Sequence, residues 1–429
     1  MRRRRSRSWL SKARIVLVAG ATLGLAVPSA GAQAGVGGIT DISDRQESAS
    51  CNYALKAPGS QRRKYADACQ TAASAERQTS GLTAMSTAPL TYENPVFGSF
   101  VADPGALRNS STDYYAYATS GGFSILKSAD MVHWERVGQA FTERPAWVVQ
   151  SGDWHPWAPS VLRSAKSCPG TTSPGCYFMY YVGLSARHTP PTDCVGVAWS
   201  LTPSGPFTDL GPIQAKDGKK DLAGRPLGCG DAGGYGNIDP APFVNSDGSV
   251  YLYVSTSRRC LQPTTSSCPY EPVISVLPMD KTPTRARAAR KPLFGATPSS
   301  WEQQPGYAPQ VENPWMEKRG STYYLFYSGG YYGARYGMGY ATATSPTGGT
   351  AYSAFAKSPL NPVLRETSAV LSPGGGSVTT GPSGGSWLVY HGRAGDYSQS
   401  RTLRIDPLFW SGTSVMTPGP TTGPQSPAP

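Results

Sequence analysis

The sequence predicts an all-β fold, a five-bladed β-propeller, on three observations. From Tyr92 onward, strands rich in Tyr, Val and Phe alternate with Gly, Pro, Asn and Asp turns almost to the end, and long amphipathic helical patterns are absent. One pattern recurs five times: an acidic or Pro-containing segment, a Gly/Ser/Asp turn, an aromatic strand, then a further strand. The copies begin near Asp103, Pro159, Asp239, Glu312 and Gly374, at intervals of 56 to 80 residues, which suits four-stranded blades with inserted loops. A β-sandwich of similar composition is the competing architecture, but it predicts no repeat.

The first copy reads ADPGALRNSSTDYYAYATS and leads to FSILKSADMVHW; the second is WAPSVLR, CYFMYYVGL and VGVAWSLTPSGPF. The third is IDPAPFVNSDGSVYLYVSTS with VISVLPMD, and the fourth VENPWMEKRGSTYYLFYSGG with YGMGYATATSPTG. The fifth is LSPGGGSVTTGPSGGSWLVYHGR with TLRIDPLFW. Residues 91–420 therefore form the propeller, with 421–429 as a flexible tail.

The residues before it carry other signals. MRRRRSRSWLSKAR is a basic n-region, residues 15–27 an apolar core and Ala32-Gln33-Ala34 a small-residue cleavage site, so 1–34 reads as a signal peptide. Its apolar core of about 13 residues is shorter than the roughly 20 that span a bilayer, and no later stretch is long enough, so no membrane partner is expected. Residues 35–90 form an N-terminal accessory region, with a short helix near Arg62–Arg77.

Removing residues 1–34 deletes seven Lys/Arg and no acid, which takes the net charge from +12 to +5. A nucleic-acid-binding domain is usually strongly and locally basic, so no nucleic-acid partner is expected. Nothing in the sequence specifies an oligomeric state. The eight cysteines are even in number and suit disulfides in an oxidising compartment. Cys168 with Cys176, and Cys260 with Cys268, each bracket a short loop; Cys51 with Cys69 and Cys194 with Cys229 would complete the set.

In a propeller the first strand of each blade lines a central channel, so the opening residues of each copy converge. Three copies open on acids: Asp103, Asp239 and Glu312. Glycoside hydrolysis needs such convergence, with one carboxylic acid protonating the leaving oxygen and a carboxylate activating water or attacking the sugar. Each acid taken singly is more readily a turn or surface residue, since Asp-Pro commonly opens turns. Glu93, Asp153, Asp231, Asp247 and Asp406 are spare carboxylates.

ADPG (102–105), IDPAPF (238–243) and VENPW (311–315), in that order, resemble the three signature segments of family 43 glycoside hydrolases; WAPSV (157–161) and VYHGR (389–393) match as well. The similarity covers roughly Tyr92 to Pro420. It implies that Asp103 is the general base of an inverting, single-displacement reaction, Glu312 the general acid, and Asp239 the carboxylate that tunes and holds the acid. A neighbouring negative charge raises a carboxyl pKa, which keeps a general acid protonated near neutral pH.

Sugars stack on aromatic rings, which makes Trp157 the foremost substrate-binding candidate, followed by Trp154 in GDWHPWAP and by Tyr331 and Tyr332 in SGGYYGARYG. Arg393 of the VYHGR segment joins them. In arabinan-degrading members of the family a fifth-blade histidine helps hold a metal ion, usually calcium, through water, and His391 is the corresponding candidate. No EF-hand loop or zinc cluster is present in the sequence.

The resemblance implies a polysaccharide or oligosaccharide substrate from the plant cell wall. The closing TLRIDPLFW…PGPTTGP and the lack of a following β-sandwich favour arabinose chemistry, as an α-L-arabinofuranosidase or endo-α-1,5-arabinanase; a β-xylosidase is the alternative. Fructan-active propellers carry Asn before the first Asp-Pro, Arg-Asp-Pro second and Glu-Cys third, whereas Ala102, Ile238 and Asn313 stand here. A silent carbohydrate-binding propeller could have lost the acids, and all three remain.

Overall fold

The computed structural model describes residues 91–189, 191–218, 227–229, 235–258, 271–349 and 354–429. The expected signal peptide, the accessory region with its helix, and the pairs Cys51–Cys69 and Cys260–Cys268 lie outside them. The remaining two pairs are formed: Cys168–Cys176 with an S–S distance of 2.06 Å and Cys194–Cys229 with 2.13 Å.

The fold is all-β, with a single 3-10 turn at Leu227–Cys229 among the described residues. Five sheets, antiparallel apart from the short Gln214–Ala215 with Arg285–Ala286 pair, follow one another along the chain, each with its first strand innermost. Blade 1 runs Gly105–Ser110, Asp113–Ala118, Ser124–Ser128 and Glu135–Gln139, and blade 2 runs Ser160–Ser164, Cys176–Ser185, Thr192–Ser200 and Thr208–Pro212. Blade 3 is built on Tyr235–Val244, Val250–Arg258 and Glu271–Met279; blade 4 on Val311–Arg319, Thr322–Tyr331 and Ala334–Ala343. Blade 5 comprises Val370–Thr380, Ser386–Ala394, Thr402–Ser411 and Ser414–Met416.

The second strands explain why these sheets stack radially. Asp113–Ala118, Cys176–Ser185 and Thr322–Tyr331 are buried along nearly their whole length rather than at every other residue, because a neighbouring blade covers each face. Five apolar clusters result, one at each blade junction. Tyr117 and Phe123 meet Tyr181 between blades 1 and 2, and Phe178 and Val195 meet Leu252 between 2 and 3. Tyr253 meets Tyr327 between 3 and 4, and Phe326 meets Tyr390 between 4 and 5. Between 5 and 1, Val389 and Ile405 pack with Tyr114 and Leu126, which closes the ring.

The two ends of the ring are also laced. Tyr92–Asn94 pairs antiparallel with Gly423–Gln425, and the Asn94 side chain bonds both Ile405 N–H and Ile405 C=O. Asp406, a spare carboxylate in the sequence, is fully buried and accepts hydrogen bonds from the Tyr92, Tyr390 and Thr421 hydroxyls. Residues 421–429 are therefore not a free tail: Thr421 and Ala428 are buried, and the segment completes the seam between blades 5 and 1. Its Pro and Thr content suggested mobility, but a partner strand supplies the backbone hydrogen bonds that the sequence alone does not reveal.

Candidate active site

In each blade one channel-lining residue has a left-handed backbone: Asp103 (φ 51°), Ala158 (42°), Asp239 (54°), Asn313 (50°) and Gly375 (56°). Four of them precede proline, namely Pro104, Pro159, Pro240 and Pro314. All five, with those prolines, line one axial cavity. Left-handed geometry at a non-glycine residue costs about 1–3 kcal/mol and persists only where surrounding contacts enforce it. Here the pairing register shifts at the same place in blades 3, 4 and 5, between Ile238 and Ala241, Glu312 and Trp315, and Leu371 and Gly374. Such bulges re-aim side chains and end regular pairing. The Asp-Pro and Glu-Asn-Pro segments are thus turns and channel residues at once.

Asp103 sits in blade 1 with its carboxylate 12% exposed. Its Oδ2 accepts from the Thr119 hydroxyl at 2.7 Å, and its Oδ1 lies 3.2 Å from Arg401 Nη1. Burial pushes its pKa up, but the Arg401 guanidinium and the Thr119 hydrogen bond outweigh it and hold the group below the usual carboxylate range. Gly375 faces it from blade 5, where a Cβ would come within 2.8 Å of Asp103 Oδ1 and 2.4 Å of the His391 ring, so only glycine fits.

Asp239 and Glu312 have the opposite electrostatics. Asp239 Oδ2 accepts from the Ser255 hydroxyl at 2.9 Å and from Asn313 N–H at 3.0 Å. Glu312 Oε1 accepts from the Tyr336 hydroxyl at 2.6 Å. Burial, then the charges of Glu312 and Asp103, raise Asp239 well above the usual range. Burial, with a further push from Asp103, raises Glu312 to about 7 against the Tyr336 hydrogen bond and Arg401. Two buried carboxyls that share a site cannot both ionise cheaply, so the pair retains a proton near neutral pH.

His391 of blade 5 is fully buried; its Nδ1 accepts from Asp103 N–H at 3.1 Å, and its ring lies parallel to that of Tyr336 at 5.9 Å. Burial, reinforced by Arg401, lowers its pKa to about 3, so it is neutral. Its Nε2 has no hydrogen-bond partner. Calcium takes six to eight oxygen ligands, waters among them, and the charges that face His391 are the Asp103 carboxylate, 3.5 Å from its Nδ1, and the Arg401 and Arg393 guanidiniums. His391 Nε2 is left as the atom that would hold a metal ion through water. Among the described residues the one grouping of ligand types is His188 with Cys194 and Cys229, and those cysteines are joined as a disulfide.

The aromatic candidates separate. Trp157 is partly exposed and stacks on His155 at 3.9 Å, directly before channel residue Ala158. Trp154 does not face the channel: it is 3% exposed and packs edge-on to Phe123 between blades 1 and 2, because the chain reverses between the two tryptophans of DWHPW. Tyr331 and Tyr332 are adjoining rings at 5.0 Å on the hairpin after the second strand of blade 4. Arg393 donates to the Gln399 carbonyl and lies within electrostatic reach of Arg401 and Tyr332.

Arg401, Tyr336, Thr119 and Ser255 escaped the sequence reading. Tyr336 carried a weak signal, since it starts the alternating Tyr336, Met338, Tyr340 face of a strand that borders Glu312. Arg401 carried none, because it comes from a loop between the second and third strands of blade 5.

Comparison with known proteins gives the same family from sequence and fold. Residues 92–414 match the family described as glycosyl hydrolases family 43. A β-D-galactofuranosidase, xynD, of Aspergillus niger is 29% identical over 76% of this chain and 84% of its own length. An extracellular exo-α-(1→5)-L-arabinofuranosidase, ArbA, of Cellvibrio japonicus is 26% identical over 54% of this chain and 59% of its own. Among solved structures, a thermostable family-43 glycoside hydrolase superposes with a TM-score of 0.63 at 27% identity, covering 79% of this chain and 99% of that one. The chain belongs to glycosyl hydrolase family 43 and is a glycoside hydrolase.

Proposed function

We propose that the protein is a secreted hydrolase of arabinose-containing plant cell-wall polysaccharide, an α-L-arabinofuranosidase or endo-α-1,5-arabinanase, that works by single displacement with inversion. The observation that carries the mechanism is the electrostatic contrast between Asp103, held below the usual range beside Arg401, and Glu312, raised to about 7 beside Asp239. A base must be ionised and an acid protonated at the same pH, and these environments supply both.

Asp103, fixed by Thr119 and Arg401, takes the proton of the attacking water. Glu312 gives its proton to the departing oxygen, and the Tyr336 hydroxyl then stabilises the carboxylate that remains. Asp239, anchored by Ser255 and Asn313 N–H, keeps the proton on Glu312 until substrate arrives. His391 receives the Asp103 backbone N–H and so fixes the strained turn that presents the base.

Arabinose chemistry is supported by the C. japonicus relative and by probable arabinan endo-1,5-α-L-arabinosidases of Aspergillus, 24% identical over 68% of this chain. A second reading, β-D-galactofuranoside cleavage, is favoured by the name of the A. niger relative. The two furanosides share their ring arrangement and differ in the substituent at C4. Xylosidase structures in the same fold keep the β-xylosidase alternative open to test. Secretion is supported by the two disulfides and by that extracellular relative.

Purified protein should release reducing sugar from arabinan, arabinoxylan, or aryl arabinofuranosides, galactofuranosides and xylosides, with the product first formed in the inverted anomer by NMR. Release no greater than that of Glu312→Gln on every substrate would refute hydrolysis, and a retained anomer would refute single displacement.

A further inference from the structure

Among the described residues the Trp157 ring stands outside all five apolar clusters of the blade junctions. Its backbone is fixed on both sides. Val182 N–H donates to the Trp157 carbonyl at 3.1 Å, and the next N–H, of Ala158, donates to the Thr119 hydroxyl that in turn donates to Asp103. The orientation of the indole is left to side-chain contact, and the ring it lies on is His155, with centroids 3.9 Å apart and planes at 11°. His155 is itself clamped. Its Nδ1 is 2.6 Å from Asp193 Oδ1 on the third strand of blade 2, and its N–H donates to Asp153 at 2.9 Å. The strand that carries Asp193 is packed against blade 3 so closely that the Asp193 carbonyl leaves no room for a Cβ on Gly236.

This geometry decides which nitrogen titrates. Nδ1 faces a carboxylate and keeps its hydrogen there, so the proton comes and goes at Nε2, and the ring that changes charge is the one stacked on the indole. The carboxylates that face it are Asp193, from the third strand of blade 2, and Asp153, from its own segment. Burial pushes the His155 pKa down, but the hydrogen bond and charge of Asp193, then the charge of Asp153, outweigh it and raise it above the ordinary histidine value. A cation over an aromatic face is drawn to the ring quadrupole, most strongly for tryptophan, whereas neutral imidazole offers only the stacking contact. Protonated His155 therefore holds the indole more firmly than neutral His155 does. A ring already immobilised costs less to order when a sugar arrives. His155 also takes left-handed backbone (φ 56°), which histidine, asparagine and aspartate adopt more readily than other side chains, so the turn can be kept while the ring is removed.

We propose that His155 is a positioning residue: clamped by Asp193, it braces the Trp157 indole beside the channel, and braces it most firmly when protonated, so that saccharide binding weakens as pH rises. This rests on the hydrolase reading above. His155→Asn keeps the left-handed turn and removes the ring. On a linear arabino-oligosaccharide near pH 5 it should raise KM roughly two- to fivefold and leave kcat unchanged. Wild-type KM should climb to the variant's level as pH passes the His155 pKa, while the variant's own KM stays flat. The alkaline fall in rate set by Glu312 is common to both proteins and cancels in their ratio. A KM ratio that is the same at every pH, or a loss in kcat alone, would overturn the proposal.

A direct reading of the imidazole separates this from failure of the hydrolase reading. The chain has four histidines, so the His155 ring resonance can be followed by NMR in protein labelled with 13C-histidine and assigned by its loss in His155→Asn. Its pKa should fall in Asp193→Asn, which keeps a hydrogen-bond acceptor and loses the charge. It should fall by roughly half a pH unit in Trp157→Leu, which keeps apolar cover but removes the ring that favours the imidazolium. A ligand that prefers the protonated form must in turn raise the pKa of that form, so arabino-, xylo- or galactofuranosyl oligosaccharides added to Glu312→Gln protein should raise it. No turnover of any substrate, together with a His155 pKa that saccharide raises, would refute the hydrolase reading and leave the brace standing. A pKa unmoved by Trp157→Leu or by saccharide would overturn the brace, whether or not the protein is an active hydrolase.

Discussion

Asp103 and Glu312 are carboxyl groups of nearly equal intrinsic acidity, and their neighbours set them apart. Asp103 is tied to a guanidinium, whereas Glu312 shares a desolvated site with Asp239. The pH dependence has a definite sign. kcat/KM should rise as pH climbs through the lowered pKa of Asp103, level off, and fall as Glu312 loses its proton near pH 7. Asp239→Asn should move the alkaline limb to lower pH, because the pair no longer has to give up its last proton against a second buried carboxylate; an unmoved limb in the pH–rate profile would contradict this. At this scale the acids were legible because each opens a repeat, Asp103 and Asp239 directly before a proline and Glu312 two residues before one. Arg401 and Tyr336, which tune them, were less so, because Arg401 reaches Asp103 from a loop of another blade and Tyr336 reaches Glu312 from a different strand of blade 4, and such partners leave no local pattern.

Elements show why Trp154 and Trp157 part company. Both lie in one polar, aromatic stretch, but His155 and Ala158 take left-handed backbone, and the turn sends Trp154 into the blade junction while Trp157 stays beside the channel. Periodicity carries no information about such a reversal. The loop before the inner strand of blade 4 depends on a different device, the buried Glu302–Lys357 pair, with the glutamate side chain 1% exposed. Lys357→Ala would leave that carboxylate unpaired, and breaking a buried pair costs about 3–5 kcal/mol. Urea unfolding should show a loss of that order. A stability unchanged to within about 0.5 kcal/mol, the usual range of surface substitutions, would show that the pair holds nothing.

Across the whole molecule, five junction clusters of similar size distribute the core around the ring, and the fivefold repeat made this architecture readable from sequence. The closure was not readable. Three-residue strands at the two ends pair over a separation that spans the propeller, and the Pro, Thr and Gly content around the C-terminal one resembles a linker. Ending the chain at Pro420 removes two hydrogen bonds from Thr421 to buried Asp406 and the partner of Tyr92–Asn94. It should lower unfolding free energy by at least about 1–3 kcal/mol, while activity well below Tm persists because the carboxylates lie on other elements. An unaltered Tm would return the segment to the status of a tail.

The division of labour between Asp103 and Glu312 is the centre of the account, and leaving-group dependence tests it most directly. Rates of Asp103→Asn and Glu312→Gln should be compared on a natural arabino-oligosaccharide and on an aryl glycoside with an activated leaving group. Glu312→Gln should recover much of its loss on the activated substrate, which needs no protonation, while Asp103→Asn should stay inactive on both because water still needs a base. Equal losses for the two variants on both substrates, or rescue of Asp103→Asn instead, would contradict the assignment.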